Sequence, residues 1–241
     1  MLRTLRLGLA RSLCALSLLI IPGCGGDAPP PKTADEAPAQ EDEHRSSGAS
    51  VSAEIGGLDE QKVDATFSKS VGGLTRCLDA GAKRVEFLGG SVSFYLKIDT
   101  SGKVDHAHLE HSTIGDRATE KCMIDALRAR NWPKPVGGEH GFARKSFDFD
   151  PPNDVRPPTE WSSSEAEKGL ATVSSQLQKC NHGKGGFEAT LYVGTDGNVL
   201  AAGATPPDED GEEAVDCIVD ALKSASFPSP GSWPAKVTLS L

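Results

Sequence analysis

Membrane spans, nucleophile motifs and an excess of positive charge are all missing from this chain of 241 residues. Its N-terminal apolar run, Leu13 to Ile21, is about nine residues long, against the roughly 20 that cross a bilayer. No His-Glu-x-x-His helix, Gly-x-Ser-x-Gly elbow or phosphate-cradling glycine loop occurs, so the chemistries built on those motifs have no foothold. No Cys-x-x-Cys pair occurs either, which excludes dithiol redox catalysis of that type. With 25 Lys and Arg against 34 Asp and Glu, the formal charge is −9. Such a surface repels phosphate backbones and anionic head groups, so nucleic acid is not an expected partner. These absences point to a protein that is not an enzyme, with no cofactor and no small-molecule substrate.

What the chain does have is six cysteines in three settings. Cys14 lies inside the apolar run. Arg3, Arg6 and Arg11 give a positive n-region with no acidic residue before Gly23, so residues 1–23 have the anatomy of a signal peptide. Ile21-Pro22-Gly23-Cys24 resembles the lipobox of bacterial lipoproteins. That resemblance implies cleavage before Cys24, diacylation of its thiol and acylation of the new amine, with palmitate as a typical chain. Three acyl chains exceed the two signals needed for stable anchoring. Gly25 in place of Asp resembles lipoproteins forwarded to the outer membrane of Gram-negative bacteria, which implies a lipid anchor there and domains in the periplasm.

Loss of the three signal arginines takes the formal charge from −9 to −12. Residues 24–55 are rich in Pro, Ala, Glu and Asp, with Pro29-Pro30-Pro31 and Glu41-Asp42-Glu43. With almost nothing aliphatic to bury, this stretch is expected to be a disordered tether. About 30 flexible residues span roughly 30 Å r.m.s., enough to hold a folded part near the membrane but not on it.

The other four cysteines belong to an internal repeat. Cys122, Met123, Ile124, Ala126 and Leu127 reappear as Cys217, Ile218, Val219, Ala221 and Leu222 at a constant offset of 95. The same offset relates Trp132-Pro133 to Phe227-Pro228, and Gly102 and Val104 to Gly197 and Val199. Upstream, Phe67, Leu74 and Cys77 map onto Leu170, Leu177 and Cys180 at an offset of 103. Length changes are thus confined to expected loops, where they cost least.

Each copy reads helix, strand, strand, helix, strand. Val63, Phe67, Val71, Leu74 and Cys77 recur at three- and four-residue steps, one face of a helix. Leu170, Val173, Leu177 and Cys180 repeat it, with Ser162 and Glu165 as a candidate capping box. Val92, Phe94, Leu96 and Ile98 alternate with polar residues as a half-buried strand. Gly102 and Gly197 stand where a hairpin turn needs a positive φ. Second helices are expected from about Asp116 to Arg130 and from Glu212 to Ala225. Closing strands are expected near Arg144–Phe149 and Lys236–Leu241. The fold class is therefore α+β, with two tandem small domains at residues 56–150 and 161–241 and a Pro-rich, extended linker at 151–160. Four cysteines allow three pairings. Each copy carries its own pair between its two helices, which favours Cys77–Cys122 and Cys180–Cys217. Each closure is worth about 4 kcal/mol on the loop-entropy estimate, and small exported domains commonly need such help.

The order Cys77, Gly90-Ser91-Val92-Ser93-Phe94-Tyr95-Leu96-Lys97-Ile98-Asp99, Gly102-Lys103-Val104, Ser112-Thr113, Cys122-Met123-Ile124, Trp132-Pro133 and Phe147-Asp148-Phe149 resembles the TonB C-terminal-like superfamily. The nearest likeness is to the AgmX/PglI-type C-terminal domains associated with gliding motility. The resemblance covers residues 57–150 well and 161–241 more weakly, since Thr205-Pro206-Pro207 replaces the serine-threonine step. It implies a non-catalytic α+β module that docks an envelope protein, in motility, transport or envelope assembly. A terminal strand can present an open edge to an incoming peptide. The candidate edges are Val237, Thr238, Leu239, Ser240 and Leu241, and the stretch Lys145–Phe149. The alternative is that these strands only complete their own sheets.

Two other readings remain. His106, His108 and Glu110 alternate on the return strand, with His111 nearby, and such a face suits a divalent metal. It equally suits a solvated strand face with Ala107 and Leu109 turned inward, and copy two has Ala201 and Gly203 in place of the histidines. Asp208-Glu209-Asp210 lacks the alternating spacing of a calcium loop. The chain also fits a purely structural envelope component. Trp132 and Phe227 are expected in the cores. The anchor makes a direct prediction: Cys24→Ser should leave the protein in the soluble envelope fraction, whereas mature wild-type protein carries acyl chains on Cys24 by mass spectrometry.

Overall fold

The computed structural model describes residues 56–152, 154–180 and 184–241. The signal peptide, Cys24 and the tether lie outside the described residues. The first half begins with helix α1 (Glu60–Ala82), followed by strands β1 (Gly90–Asp99) and β2 (Val104–Ser112), helix α2 (Arg117–Arg128) and strand β3 (His140–Phe149). A two-residue strand β4 (Thr159–Glu160) leads into α3 (Ser163–Cys180), β5 (Glu188–Val193), β6 (Val199–Thr205), α4 (Glu212–Lys223) and β7 (Ala235–Ser240). The molecule is thus α+β, and the order helix, strand, strand, helix, strand occurs twice.

Each half is one sheet with its two helices on one face, antiparallel in the first half and mixed in the second. The first sheet has the order β2-β1-β3, the second β4-β7-β5-β6, with β4 parallel to β7. Period-two alternation sends Val92, Phe94, Leu96 and Ile98 into the first core, all at 0% exposure. Ala107 and Leu109 join them from β2, and Ala189, Leu191, Val193, Ala202 and Ala204 play the same part in the second core. Trp132 and Phe227 are both buried.

Side chains cap the helix starts. Asp59 and Asp116 accept from the amides of Lys62 and Thr119 at the starts of α1 and α2. Before α3, the Ser162 amide and hydroxyl donate to the Glu165 carboxylate at 2.7 and 2.9 Å. Helix spacing misplaces one residue: Val71 is 39% exposed, while Ser70 faces the core. The buried stripe steps from Phe67 to Ser70 to Leu74, and the Ser70 hydroxyl is satisfied by the Thr66 carbonyl at 2.8 Å. The closing strand of the first half begins four residues before the expected Arg144, because Gly141 and Ala143 are buried on its core side.

One hairpin device recurs in both halves and explains two separated motifs at once. Gly102 and Gly197 have φ of +84° and +82°, the left-handed region that glycine enters without a Cβ penalty. Their carbonyls accept the backbone N–H of Trp132 and Phe227, each at 2.9 Å. A Cβ on either glycine would run into the carbonyl of that same aromatic residue. The turn glycine and the aromatic-proline step are therefore two sides of one contact.

The disulfides Cys77–Cys122 and Cys180–Cys217 tie α1 to α2 and α3 to α4, with Cα separations of 5.7 and 5.5 Å. Replacing Cys77 and Cys122 together by Ser should cost up to about 4 kcal/mol, read as a lowered urea midpoint. An unchanged midpoint would show that the staple adds nothing to stability.

Candidate functional site

The two halves meet over a buried surface. The outer face of the second sheet, opposite its helices, carries Thr190, Tyr192, Ala201, Gly203 and Thr205, all buried. Tyr192 and Ala201 belong to the first half's apolar cluster, and Val155 and Trp233 pack against it. The Tyr192 hydroxyl donates to the Gly89 carbonyl at 3.2 Å, as does Lys236 Nζ at 2.9 Å. Burial lowers the Lys236 pKa and raises that of Tyr192. The linker is held in this assembly, with the Trp233 indole donating to the Pro157 carbonyl at 3.0 Å.

Glu120, on α2, is the buried acid of this interface, at 0% exposure. It lies against Gly203, where a Cβ would overlap its carboxylate. Its Oε1 accepts from the Ser112 hydroxyl at 2.7 Å, while Oε2 is buried without a hydrogen-bond partner. Burial pushes its pKa up to about 7, with Asp116 acting in the same direction; the Ser112 hydrogen bond and Arg117 act the other way. This contact explains a difference between the repeats. Ala201 and Gly203 stand at the positions of His106 and His108, and only small residues fit beneath the first half.

Charge closes the interface at the helices. Arg117, 7% exposed, donates from Nη2 to Glu212 and from Nε to Asp216, both at 2.8 Å. Lys121 reaches Asp216 at 2.9 Å. Arg117 and Glu212 are matched positions of the repeat, as are Lys121 and Asp216. Identical halves would set like charges together; divergence has given them opposite signs. Arg117 also opposes the α2 dipole, which the two carboxylates offset. A cleft of about 800 Å³ beside these pairs is lined by Arg117, Lys121, Glu209 and Asp216 among others.

The histidine face forms as the alternation implies, and its neighbours are now visible. His106 Nε2 lies 3.2 Å from His108 Nδ1. His108 is buried beside Tyr95, and burial lowers its pKa, keeping it neutral at pH 7. Glu110 turns away to accept from Arg144 at 2.7 Å, and Arg144 covers the Tyr95 ring. Among the described residues no three His, Cys, Asp or Glu side chains converge as metal ligands would. Glu209, in a 3-10 turn (Glu209–Gly211), reaches across from the second half to within 3.6 Å of His106 and 3.7 Å of Lys97.

Strand edges differ in what covers them. β2 and β6 approach each other in the interface. On β7, Ala235 and Lys236 pair with β4, and the Trp161 amide donates to the Lys236 carbonyl. Val237 and Leu239 are buried, and Leu241 bonds inward to Phe187 and Gly186. Of the candidate edge residues on this strand, Thr238 and Ser240 point their backbones outward. On β3, the Gly56 amide caps the His140 carbonyl at 2.6 Å from the outer side. By alternation, Phe142, Arg144, Ser146 and Asp148 direct their amides and carbonyls away from β1. Phe147 and Phe149 stack beside this edge at 6.0 Å and are half-buried.

No family model, curated protein or solved structure matches the chain. Among the described residues, no helix is long and apolar enough to cross a membrane.

Sequence reading missed Arg117, Glu120 and Tyr192. Sign inversion at matched repeat positions was the available signal for Arg117 and Lys121. Glu120 carries none, since an acid on an amphipathic helix reads as solvated. Arg117→Ala should cost about 2 kcal/mol, the range for hydrogen bonds to charged groups. Exchanging the charges, Arg117→Glu with Glu212→Arg, should recover much of it in a double-mutant denaturation cycle.

Proposed function

We propose that this chain is a non-catalytic, lipid-anchored envelope protein whose two TonB-like halves dock a partner protein. The partner contributes an extended strand that adds to the open edge of β3. The backbone row on β3 from Phe142 to Asp148 carries this reading: among the described residues nothing pairs with it, and four residues turn their hydrogen-bonding groups outward, against two on β7. An exposed row of unpaired amides and carbonyls is a template for strand addition. Phe147 and Phe149 supply apolar surface beside it that an added strand would cover, and Arg144 supplies a charged rim. Main-chain pairing gives such a contact affinity, and the alternating side chains give it specificity.

The anchor and the outer-membrane address belong to the same proposal and rest on the lipobox-like Ile21-Pro22-Gly23-Cys24 and on Gly25. The TonB-like assignment rests on motif order, supported by the twofold occurrence of helix, strand, strand, helix, strand. Docking in the periplasm, for motility, transport or envelope assembly, is consistent with an acidic module on a tether of about 30 residues.

Proline at an outward position removes an edge donor while leaving the inner ladder in place. Ser146→Pro should therefore abolish recovery of a crosslinked partner from solubilised envelopes, with both disulfides and the circular dichroism spectrum retained. Thr238→Pro should leave recovery unchanged. The opposite pattern would move the docking edge to β7, and full recovery with both variants would defeat strand addition.

A further inference from the structure

We propose that the two halves form a proton-linked clasp, closed over the outer face of the second sheet in acid and loosened above neutrality. The clasp is separate from the β3 edge and does not depend on what binds there.

Its centre is the Glu120 contact. The carboxyl is wholly enclosed between β2, α2 and the second sheet, with Gly203 against it and Ser112 on one oxygen; Oε2 has no hydrogen-bond partner among the described residues, and the nearby Gly115 amide acts weakly in favour of the ionised form. The charged groups around it are Arg117 and Asp116 on its own helix. Arg117 is engaged by Glu212 and Asp216 from α4, and Asp116 is paired with Arg84. From β5, Tyr192 is hydrogen-bonded to the Gly89 carbonyl, and Lys236 lies over its ring with Glu160 as its nearest acidic influence. Among the described residues the cation that acts on Glu120 is Arg117, and it is already engaged by two carboxylates, so a carboxylate at Glu120 would have to be solvated by parting the halves.

Two further pairs cross the same interface. His111 Nδ1 of β2 lies 2.7 Å from Glu188 of β5, with Ser91 on the other ring nitrogen at 3.2 Å. His106 lies beside Glu209, which also meets Lys97, with His108 next to it. His108 feels the fields of Glu209, Glu110 and Glu212.

The direction follows from linkage. Closed, Glu120 holds its proton up to a pH of about 7; in an open, solvated state it would release it near the ordinary value of 4.5. Closure is fully favoured below 4.5, weakens as pH rises, and reaches its full penalty above 7. Between pH 5 and pH 8 the closing constant falls on the order of 70-fold from Glu120 alone.

Hydrogen exchange of the full-length protein, corrected for intrinsic rates, tests this on the amides of β6 and of residues 112–116. In wild type their protection should fall by roughly one to two orders of magnitude from pH 5 to pH 8. Glu120→Gln, close to isosteric, should remove most of that fall. Gly203→Ala, which wedges the contact, should leave these amides unprotected already at pH 5, with both disulfides intact and the α1 amides still protected. Protection that does not change with pH in wild type would overturn the clasp. So would a Glu120→Gln profile identical to wild type, or Gly203→Ala protection equal to wild type at pH 5.

Discussion

Glu120 against Gly203 is the contact on which the arrangement of the halves turns. The second sheet has a face with no helix over it, and an uncovered face must be polar, or small and covered by something else. Copy one keeps its outer face polar and aromatic, with Lys97, Tyr95, His106 and His108. Copy two uses Ala201, Gly203 and Thr190, and the corner of the first half occupies the space. One duplicated fold has thus acquired two different outer faces, because one copy came to sit on the other.

The helices show the same divergence in charge. Arg117 and Lys121 meet Glu212 and Asp216 at matched repeat positions. Two identical copies would repel there. Holding both copies on one chain lets each side vary independently, and the opposite signs then fix one docking of the halves while disfavouring association of like with like. Within each half the disulfide and the glycine-to-aromatic contact are kept in common, because they stabilise a small core regardless of what lies outside it. Conserved devices face inward, and diverged ones face the interface.

This division bears on the docking proposal. β2 and β6 are drawn into the interface and β7 is partly covered by β4, so among the described residues the long edge of β3 is what stays open. At one end of this edge the Gly56 amide donates to the His140 carbonyl.

Much of the fold could be read before any coordinates. Alternation in Val92–Ile98, the helix start at Asp116, the Ser162 and Glu165 pair, and the paired cysteines are local or repeat-borne patterns, and local geometry obeys them. Val71 slipped because a three- or four-residue step does not choose between adjacent positions on a curved face. By itself the chain determined the α+β class, the two copies and their element order, since those depend on periodicity and turn chemistry within about ten to twenty residues. Only the tertiary structure decided that Glu120 is buried, that Arg117 is paired across the halves, and which strand edges stay open. Those facts depend on which surfaces come together, and a side chain's solvent and electrostatic surroundings are set by neighbours some 80 to 100 positions away in the chain.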